Sequence, residues 1–234
     1  MDKIKIAICD DQKDMVFLLG RLVRKVLKEL NISGEVDSFT SGEALLENIE
    51  QYPIVFLDIA MPGKDGIETG REALQKNPDC KLIMATGAVD RFKEAFQIQA
   101  FRFITKPYEP EEIREALEAV LFSAVGAKPI ELFSNRCAYH LAQREISYIR
   151  AYNGYSEFEV CGRLFRREES LDELEEVLDK RLFVRIHRQF IINMAFIDSY
   201  KNGEISMGGE VFSVSRRNKK EFERLYTEYT IKYK

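Results

Sequence analysis

The sequence predicts two unlike halves: an open, parallel, doubly wound α/β sheet, followed by a mostly β domain. Three observations lead there. Within the first ~120 residues, five short apolar runs alternate with five stretches of helical periodicity, the pattern of a parallel sheet with crossover helices. Beyond residue 130 the chain breaks into closely spaced strand-like runs with turn signals such as Asn153–Gly154. The charge changes as well: residues 1–128 hold 17 Lys and Arg against 22 Asp and Glu, whereas residues 129–234 hold 18 against 17. A chain of 234 residues fits one or two domains of about 150 residues each. With 45% hydrophobic and 32% charged residues it can pack ordinary cores, which argues against wholesale disorder.

The elements follow in order. Residues 3–9, KIKIAIC, are an apolar β-branched run suited to a buried strand. Over residues 13–30, Val16, Leu19, Val23, Val26, Leu27 and Leu30 share one helical face. A second strand is expected at 35–39, then a helix capped by Thr40 or Ser41 and running to about Glu50. Residues 54–57, IVFL, make a third strand ending at Asp58; MPGKDG is a loop, and a helix follows over 67–76. KLIMA at 81–85 is the fourth strand, with a helix over about 90–98. FRFI at 101–104 is the fifth, with a helix over 110–123. Gly126 and Pro129 suggest a short hinge at 123–129 between domains at 1–122 and 130–234. Strands are expected at 130–133, 138–142, 145–152, 156–161 and 162–167. Ser170 and Glu173 form a capping box for a short acidic helix within 168–179. A strand-like run then starts at Arg181 and continues to Ile205, broken at Asn202–Gly203; Gly208–Gly209 marks another turn, and a last helix begins near Lys219. Phe183, Ile186, Phe190, Ile192, Phe196 and Ile197 are core candidates.

Several function classes are excluded. No stretch approaches the ~18–20 uninterrupted apolar residues of a membrane span, and the N-terminus reaches charge too early for a secretory signal, so a cytoplasmic protein without membrane attachment is expected. Cys9, Cys80, Cys137 and Cys161 are widely spaced and form no C-x-x-C pair; they read as buried single thiols. With only His140 and His187, a three-histidine metal site is impossible within one chain.

In doubly wound sheets, ligands bind beyond the carboxyl ends of the strands. That edge collects Asp10 and Asp11 after the first strand, Asp58 after the third, Thr86 at the end of the fourth and Lys106 after the fifth. Taken alone, Asp10 and Asp11 could cap the next helix, Lys106 could be a surface lysine and Thr86 a turn residue. Together they form a chemical set. Clustered carboxylates attract a hard divalent cation such as Mg²⁺, one carboxylate can act as nucleophile toward a phosphoryl donor, and a lysine and a hydroxyl can bind the transferred group. A phosphatase with an aspartyl nucleophile beside the first strand would want D-x-D there, and this chain has adjacent aspartates followed by Gln12.

Four pieces, CDD at 9–11, LDIAMPGKDG at 57–66, MATGA at 84–88 and FITKP at 103–107, make residues 4 to about 122 resemble the receiver domain of two-component response regulators. The resemblance implies a five-stranded sheet of order 2-1-3-4-5, with Asp58 as phosphoacceptor. It implies Mg²⁺ held by Asp10, Asp11, Asp58 and the backbone carbonyl of Ala60, and Lys106 paired with the phosphoryl oxygens. Thr86 and Phe103 match the two switch positions, and the Lys106–Pro107 bond is expected to be cis. Phe103 lacks the hydroxyl that many relatives have, and Gly87 stands where a bulkier residue is usual.

The second half carries no catalytic constellation, so no enzyme is expected there. It does carry basic clusters: Arg181, Arg185 and Arg188; Arg216, Arg217, Lys219 and Lys220; and Arg150 with Asn153 and Tyr155 around the expected hairpin. Arginine contacts phosphates and can read guanine edges bidentately. YIRAYNGYSEF at 148–158, FVRIHRQFIINMAFID at 183–198 and VSRRNKKEF at 214–222 resemble the LytTR family of DNA-binding domains, over about 130–228. The resemblance implies loops, not a recognition helix, in the major groove of double-stranded DNA, with contacts from Arg150, Asn153, Tyr155, His187, Arg188, Arg216, Arg217 and Lys219. For His187 a structural hydrogen-bonded role stands beside direct contact. The whole chain then reads as a transcriptional regulator phosphorylated by a sensor histidine kinase and acting as a homodimer when phosphorylated. The rival reading is a phospho-dependent module whose second half binds protein through Tyr226, Tyr229 and Tyr233.

Overall fold

The structure is a computed structural model that describes residues 3–87 and 91–233. Its contacts divide the chain into two compact units, Met1–Leu121 and Phe122–Lys234.

The first unit is a parallel sheet of order β2-β1-β3-β4-β5. Its strands are β1 (Ile4–Cys9), β2 (Gly34–Phe39), β3 (Ile54–Leu57), β4 (Lys81–Thr86) and β5 (Arg102–Thr105). The crossovers contain α1 (Lys13–Glu29), α2 (Gly42–Leu46), α3 (Gly66–Lys76) and α4 (Phe92–Gln97), and α5 (Pro110–Ser123) follows β5. The central strands are apolar at nearly every position because both faces are covered. Ile6, Ile8, Phe56, Ile83 and Ile104 pack with Leu19, Val23 and Val26 of α1 and Ile113 and Leu117 of α5. The alternate residues Ala7, Cys9, Val55, Leu57, Leu82 and Met84 pack with Leu45, Ile67, Ala73 and Ala95 on the other side.

Two local features depart from expectation. The helix capped by Ser41, whose side chain accepts from Ala44 N, ends at Leu46, and a separate 3₁₀ turn spans Ile49–Gln51. Asn48 interrupts the helix with φ −125°. The carbonyls freed by that break are satisfied from α3: Lys76 donates to Leu46 O, and Asn77 donates to Ile49 O and Tyr52 O. Neither aspartate caps α1 directly. Its N-cap is Gln12, with no side-chain cap bond, and Asp10 Oδ1 accepts from Gln12 N at 2.9 Å, an Asx-type turn ahead of the helix. Ala88, which ends the MATGA piece, and Asp90, where the fourth helix was expected to start, lie outside the described residues.

The second unit holds a seven-stranded antiparallel sheet of order β11-β12-β8-β9-β10-β6-β7 and a three-stranded sheet β13-β14-β15. Its elements are β6 (Pro129–Ser134), β7 (Cys137–Ala142), β8 (Ile146–Ala151), β9 (Ser156–Val160), β10 (Arg163–Arg167), α6 (Leu171–Val177), β11 (Phe183–His187), β12 (Phe190–Asn193), β13 (Ser199–Lys201), β14 (Glu204–Met207), β15 (Glu210–Ser213) and α7 (Lys219–Tyr233). Four hairpins turn on two residues that both have positive φ: Asn135–Arg136, Cys161–Gly162, Asn202–Gly203 and Gly208–Gly209. Such turns match the right-handed twist of the strands they join.

Four further readings are corrected. The run expected to be one strand from Arg181 onward is a hairpin, β11–β12, turned at Arg188–Gln189 without a glycine or proline to announce it. Phe196 is 38% exposed, whereas Phe183, Ile186, Ile192 and Ile197 are buried and Phe190 is partly buried. Cys137 and Cys161 are exposed, and only Cys9 and Cys80 are buried. The expected hinge is packed into the second unit: Val125 is buried there, Gly126 N donates to Asp179 Oδ2 at 2.8 Å, and Gly126 O accepts from Arg144 N. Arg181 completes the clamp by binding Asp179 and donating to Ala124 O.

Gly66 begins α3 where the chain passes closest to the end of β3. A Cβ there would lie 1.9 Å from the Asp58 carbonyl oxygen and 2.7 Å from Ile59 Cα, both backbone atoms. At Gly87 a Cβ would meet only Lys106 Cβ, at 3.8 Å. Gly66→Ala is therefore expected to destabilise the first unit by about 1–3 kcal/mol, and Gly87→Ala to be nearly neutral there. Urea unfolding midpoints check this, and equal midpoints for the two variants would refute the close-approach account.

Candidate functional site

At the carboxyl edge of the parallel sheet, β1 and β3 are neighbours, so their ends bring Asp10, Asp11 and Asp58 together. One oxygen from each lies within 4.8 Å of the others. Asp10 and Asp58 are buried, at 1% and 2% exposure, and Asp11 is partly buried. Lys106, just past β5, reaches back across the edge. Its Nζ is 2.7 Å from Asp10 Oδ2 and 3.2 Å from Asp58 Oδ2. Burial alone would pull this ammonium down, but the bond to Asp10 and the charges of Asp58 and Asp10 outweigh it and hold its pKa above the usual lysine value. The Lys106–Pro107 peptide is cis. Lys106 N also bonds Thr86 O, which ties the ends of β4 and β5.

The set has unused acceptors. Asp11 Oδ1 and Asp58 Oδ1 are buried oxygens without a hydrogen-bond partner, and the Ala60 carbonyl follows two residues past Asp58. Neighbouring Ile59 O takes both Met61 N and Gly66 N. Unsatisfied hard oxygens at the rim of an acidic pocket fit a small divalent cation such as Mg²⁺. Thr86 is fully buried at the same edge, and Phe103 packs against Phe96 of α4 with ring centroids 4.9 Å apart and planes tilted by 45°.

Two groups were not anticipated from the sequence. Tyr108 is buried; its hydroxyl donates to Ala85 O, and burial together with the charges of Asp10 and Asp58 raises its pKa well above the usual tyrosine range. Its neighbour Pro107 was part of the FITKP piece, but nothing in the pattern said the next side chain turns inward. Arg91 binds Asp65, the residue that caps α3 by accepting from Ile67 N and Glu68 N.

In the second unit three loops converge. Tyr152 to Tyr155 form the β8–β9 turn, with Tyr152 N donating to Tyr155 O and Gly154 at φ +91°. Ala151 N donates to Gln189 O, which ties that hairpin to the β11–β12 turn. A bulge in β11 leaves Ile186 out of the ladder, and its carbonyl accepts from Ser215 N instead. Asn218 Nδ2 donates to Arg185 O. The start of α7 is thereby pinned beside His187 and Arg188. A cleft of about 1100 Å³ is lined by His187, Arg188 and Arg217, and a second of about 300 Å³ by Tyr152, Gly154, Tyr155 and Arg188.

The expected contacts fall into groups accordingly. Arg188 borders both clefts, with Tyr155 on one and His187 and Arg217 on the other. Arg150 lies over the rings of Tyr152 and Phe190, at 5.2 and 5.5 Å. Asn153 is exposed at the hairpin tip, and Arg216 and Lys219 are exposed beside the clefts' lining, Lys219 being 3.9 Å from Glu223. His187 Nδ1 accepts from Gln189 N at 3.3 Å, which leaves Nε2 to carry the proton of the neutral ring. The cluster Arg181–Arg185–Arg188 does not exist as a surface patch. Arg185 pairs with Asp172 and Glu175 and the exposed Arg181 with Asp179, so among the described residues Arg188 alone of the three is exposed without an ion pair.

Residues 6–118 match the family model of the response regulator receiver domain, and residues 137–227 match that of the LytTr DNA-binding domain. An acidic pocket on a 2-1-3-4-5 sheet, joined to a β-rich DNA-binding unit, defines a response regulator. The sensory transduction protein LytR of Staphylococcus haemolyticus is 26% identical over 94% of this chain and 98% of its own length. The transcriptional regulatory protein LytR of Staphylococcus aureus is 28% identical over 83% and 85%. Among solved structures, the BeF3-activated DrrB receiver domain is 28% identical, covers 52% of this chain and 99% of that one, and superposes with a TM-score of 0.44. The chain belongs to the response regulators that carry a receiver domain followed by a LytTr DNA-binding domain.

Among the described residues no helix is long and apolar enough to cross a membrane. In the acidic pocket, Cys9 donates to Ser41 O, and burial plus the charges of Asp10 and Asp58 push its thiol up to about 12. Burial does the same to Cys80. At pH 8 the native protein is expected to react quickly with a thiol reagent at Cys137 and Cys161, and at Cys9 and Cys80 only after unfolding. A native titration with a chromogenic disulfide reagent reads this, and rapid reaction of all four thiols would contradict it.

Proposed function

We propose that the protein is a transcriptional regulator whose DNA binding is switched by phosphorylation of Asp58, with a sensor histidine kinase as phosphoryl donor. The observation that carries the reading is the convergence of Asp10, Asp11, Asp58 and Lys106 at one sheet edge, on a chain whose other half is a DNA-binding domain. An Asp58 carboxylate oxygen attacks phosphorus, and the phosphorus–nitrogen bond to the donor histidine breaks. The electron pair leaves with the imidazole, which takes up a proton, and an acyl phosphate remains on Asp58. Lys106, already 3.2 Å from Asp58, neutralises the incoming oxygens. Asp10, Asp11, Asp58 and the Ala60 carbonyl would hold Mg²⁺, which when bound supplies further neutralisation of phosphoryl charge. Thr86 binds the new group by its hydroxyl, and Phe103 repacks against Phe96 as the switch.

Phosphorylation would favour a homodimer that presents two DNA-binding halves to paired half-sites in double-stranded DNA. Arg150, Asn153, Tyr155, His187, Arg188, Arg216, Arg217 and Lys219 would supply the contacts. The protein-binding alternative loses its surface. Tyr229 is buried, Tyr226 stacks on Phe222 at 5.5 Å, and Tyr233 packs near Phe122 at 5.7 Å.

Asp58→Asn is expected to abolish the mass increase seen with acetyl phosphate and the gain in promoter-fragment retention that beryllofluoride gives the unmodified protein. Full labelling of the variant would overturn the acceptor assignment. Millimolar Mg²⁺ is expected to raise the melting temperature of the first transition, because it binds the folded state. Asp11→Asn should lose that response while melting no lower than the unmodified protein in chelator, since it removes one of the crowded charges. An undiminished Mg²⁺ response in the variant would remove Asp11 from the metal site.

A further inference from the structure

One face of the large sheet carries a cross-strand row that the loops alone do not reveal. His187 pairs with Phe190, Phe190 with Arg150, Arg150 with Glu157, and Glu157 with Arg166. The row thus runs from the β11–β12 turn across β8 and β9 to β10. Two of its members, His187 and Arg150, are among the proposed DNA contacts, and Arg166 continues it on the far side of Glu157.

The planar groups along this row are ordered in series. The Arg166 guanidinium sits 4.8 Å from the centre of the Tyr155 ring. Tyr155 stacks on Tyr152 at 5.1 Å with ring planes 10° apart. Arg150 covers the ring of Tyr152 and also that of Phe190. Two guanidinium groups therefore bracket a pair of tyrosines on the hairpin that borders the smaller cleft. Glu157, with 12% of its side chain exposed, lies between them and is 3.5 Å from Arg166 Nε. That ion pair is made on the Nε side, so the two Nη groups are not consumed by it, and 63% of the Arg166 side chain is exposed. Neighbouring strands lie about 4.8 Å apart, so the two arginines stand roughly 10 Å apart along the row, with a net charge of one between them and Glu157. A planar cation already fixed by stacking and by a carboxylate loses little freedom when it binds a phosphate.

We propose that Arg166 is a further DNA-backbone contact, an arginine held over Tyr155 so that its outer nitrogens bind a phosphate next to the hairpin. The inference rests on the reading of the second unit as a DNA-binding domain and extends that surface onto β10. Glu157, lying between them in the row, tempers the charge of Arg150 and Arg166.

The test uses the full-length protein with Mg²⁺ and beryllofluoride, and a fluorescent mixed-sequence DNA duplex as probe. Affinity is measured across a salt series. Arg166→Gln is expected to flatten the slope of log affinity against log salt by about 0.9, the value for one lost phosphate contact, and Arg166→Lys to keep it. Glu157→Gln, which leaves both arginines in place, is expected to tighten binding several-fold. Far-UV circular dichroism and the melting temperature of Arg166→Gln should match the unmodified protein. An unchanged slope in Arg166→Gln, or weaker binding by Glu157→Gln at an unchanged melting temperature, overturns the proposal while leaving the DNA-binding reading intact. Failure of the unmodified protein to bind the duplex at low salt overturns both.

Discussion

The ammonium of Lys106 holds together charges that would otherwise drive the carboxyl edge of the parallel sheet apart. Asp10 and Asp58 are almost fully buried, and two carboxylates cannot share such a place without a cation. To reach them Lys106 must pass over the end of β4. Thr86 O anchors the Lys106 backbone there. The strand order follows the same demand: β1 and β3 must be adjacent to bring their aspartates together, with β4 and β5 laid beside them. The pocket is thus only partly neutralised, with three carboxylates around one ammonium, and it is short of donors. Two buried oxygens are left without hydrogen bonds, which makes the site receptive to a hard cation and to a phosphoryl group instead of stable in itself.

The first unit was legible because its physics is repetitive. Buried strands announce themselves as apolar β-branched runs, and polar residues that interrupt them at the strand ends have little reason to be there except chemistry. Where the reading slipped, the cause was local. The helix after Ser41 looked continuous through Glu50 because Asn48 is a mild breaker whose effect depends on Lys76 and Asn77, far away in sequence, satisfying the loosened carbonyls. Tyr108 was invisible for the same kind of reason: whether the side chain after Pro107 faces the pocket or solvent is settled by tertiary packing.

The second unit was harder to read. Asn153–Gly154, Asn202–Gly203 and Gly208–Gly209 marked hairpins plainly, but Asn135–Arg136 and Arg188–Gln189 turn the chain without a glycine. Charge was the more misleading signal. Arg181, Arg185 and Arg188 look alike in sequence, yet the acidic residues of α6 and the segment after it claim the first two for structure. Arginines become available to a ligand by elimination, once the carboxylates packed against them are known. Arg166 went unnoticed because its significance comes from a register: only the pairing of β8, β9 and β10 places it in line with Arg150.

The bonds that Gly126, Ala124 and Arg144 make with Asp179 and its surroundings also bear on where one folding unit stops and the next begins. Composition would draw the line at the small residues preceding Pro129, because glycine and alanine resemble a tether. The hydrogen bonds draw it earlier, since Val125 belongs to the core of the β-rich unit and Gly126 is stitched to a loop more than fifty residues away. A fragment cut at the compositional border would leave a gap in its own interior and deprive Asp179 of the Gly126 N–H. The natural seam is thermodynamic, and it lies ahead of what looks like linker.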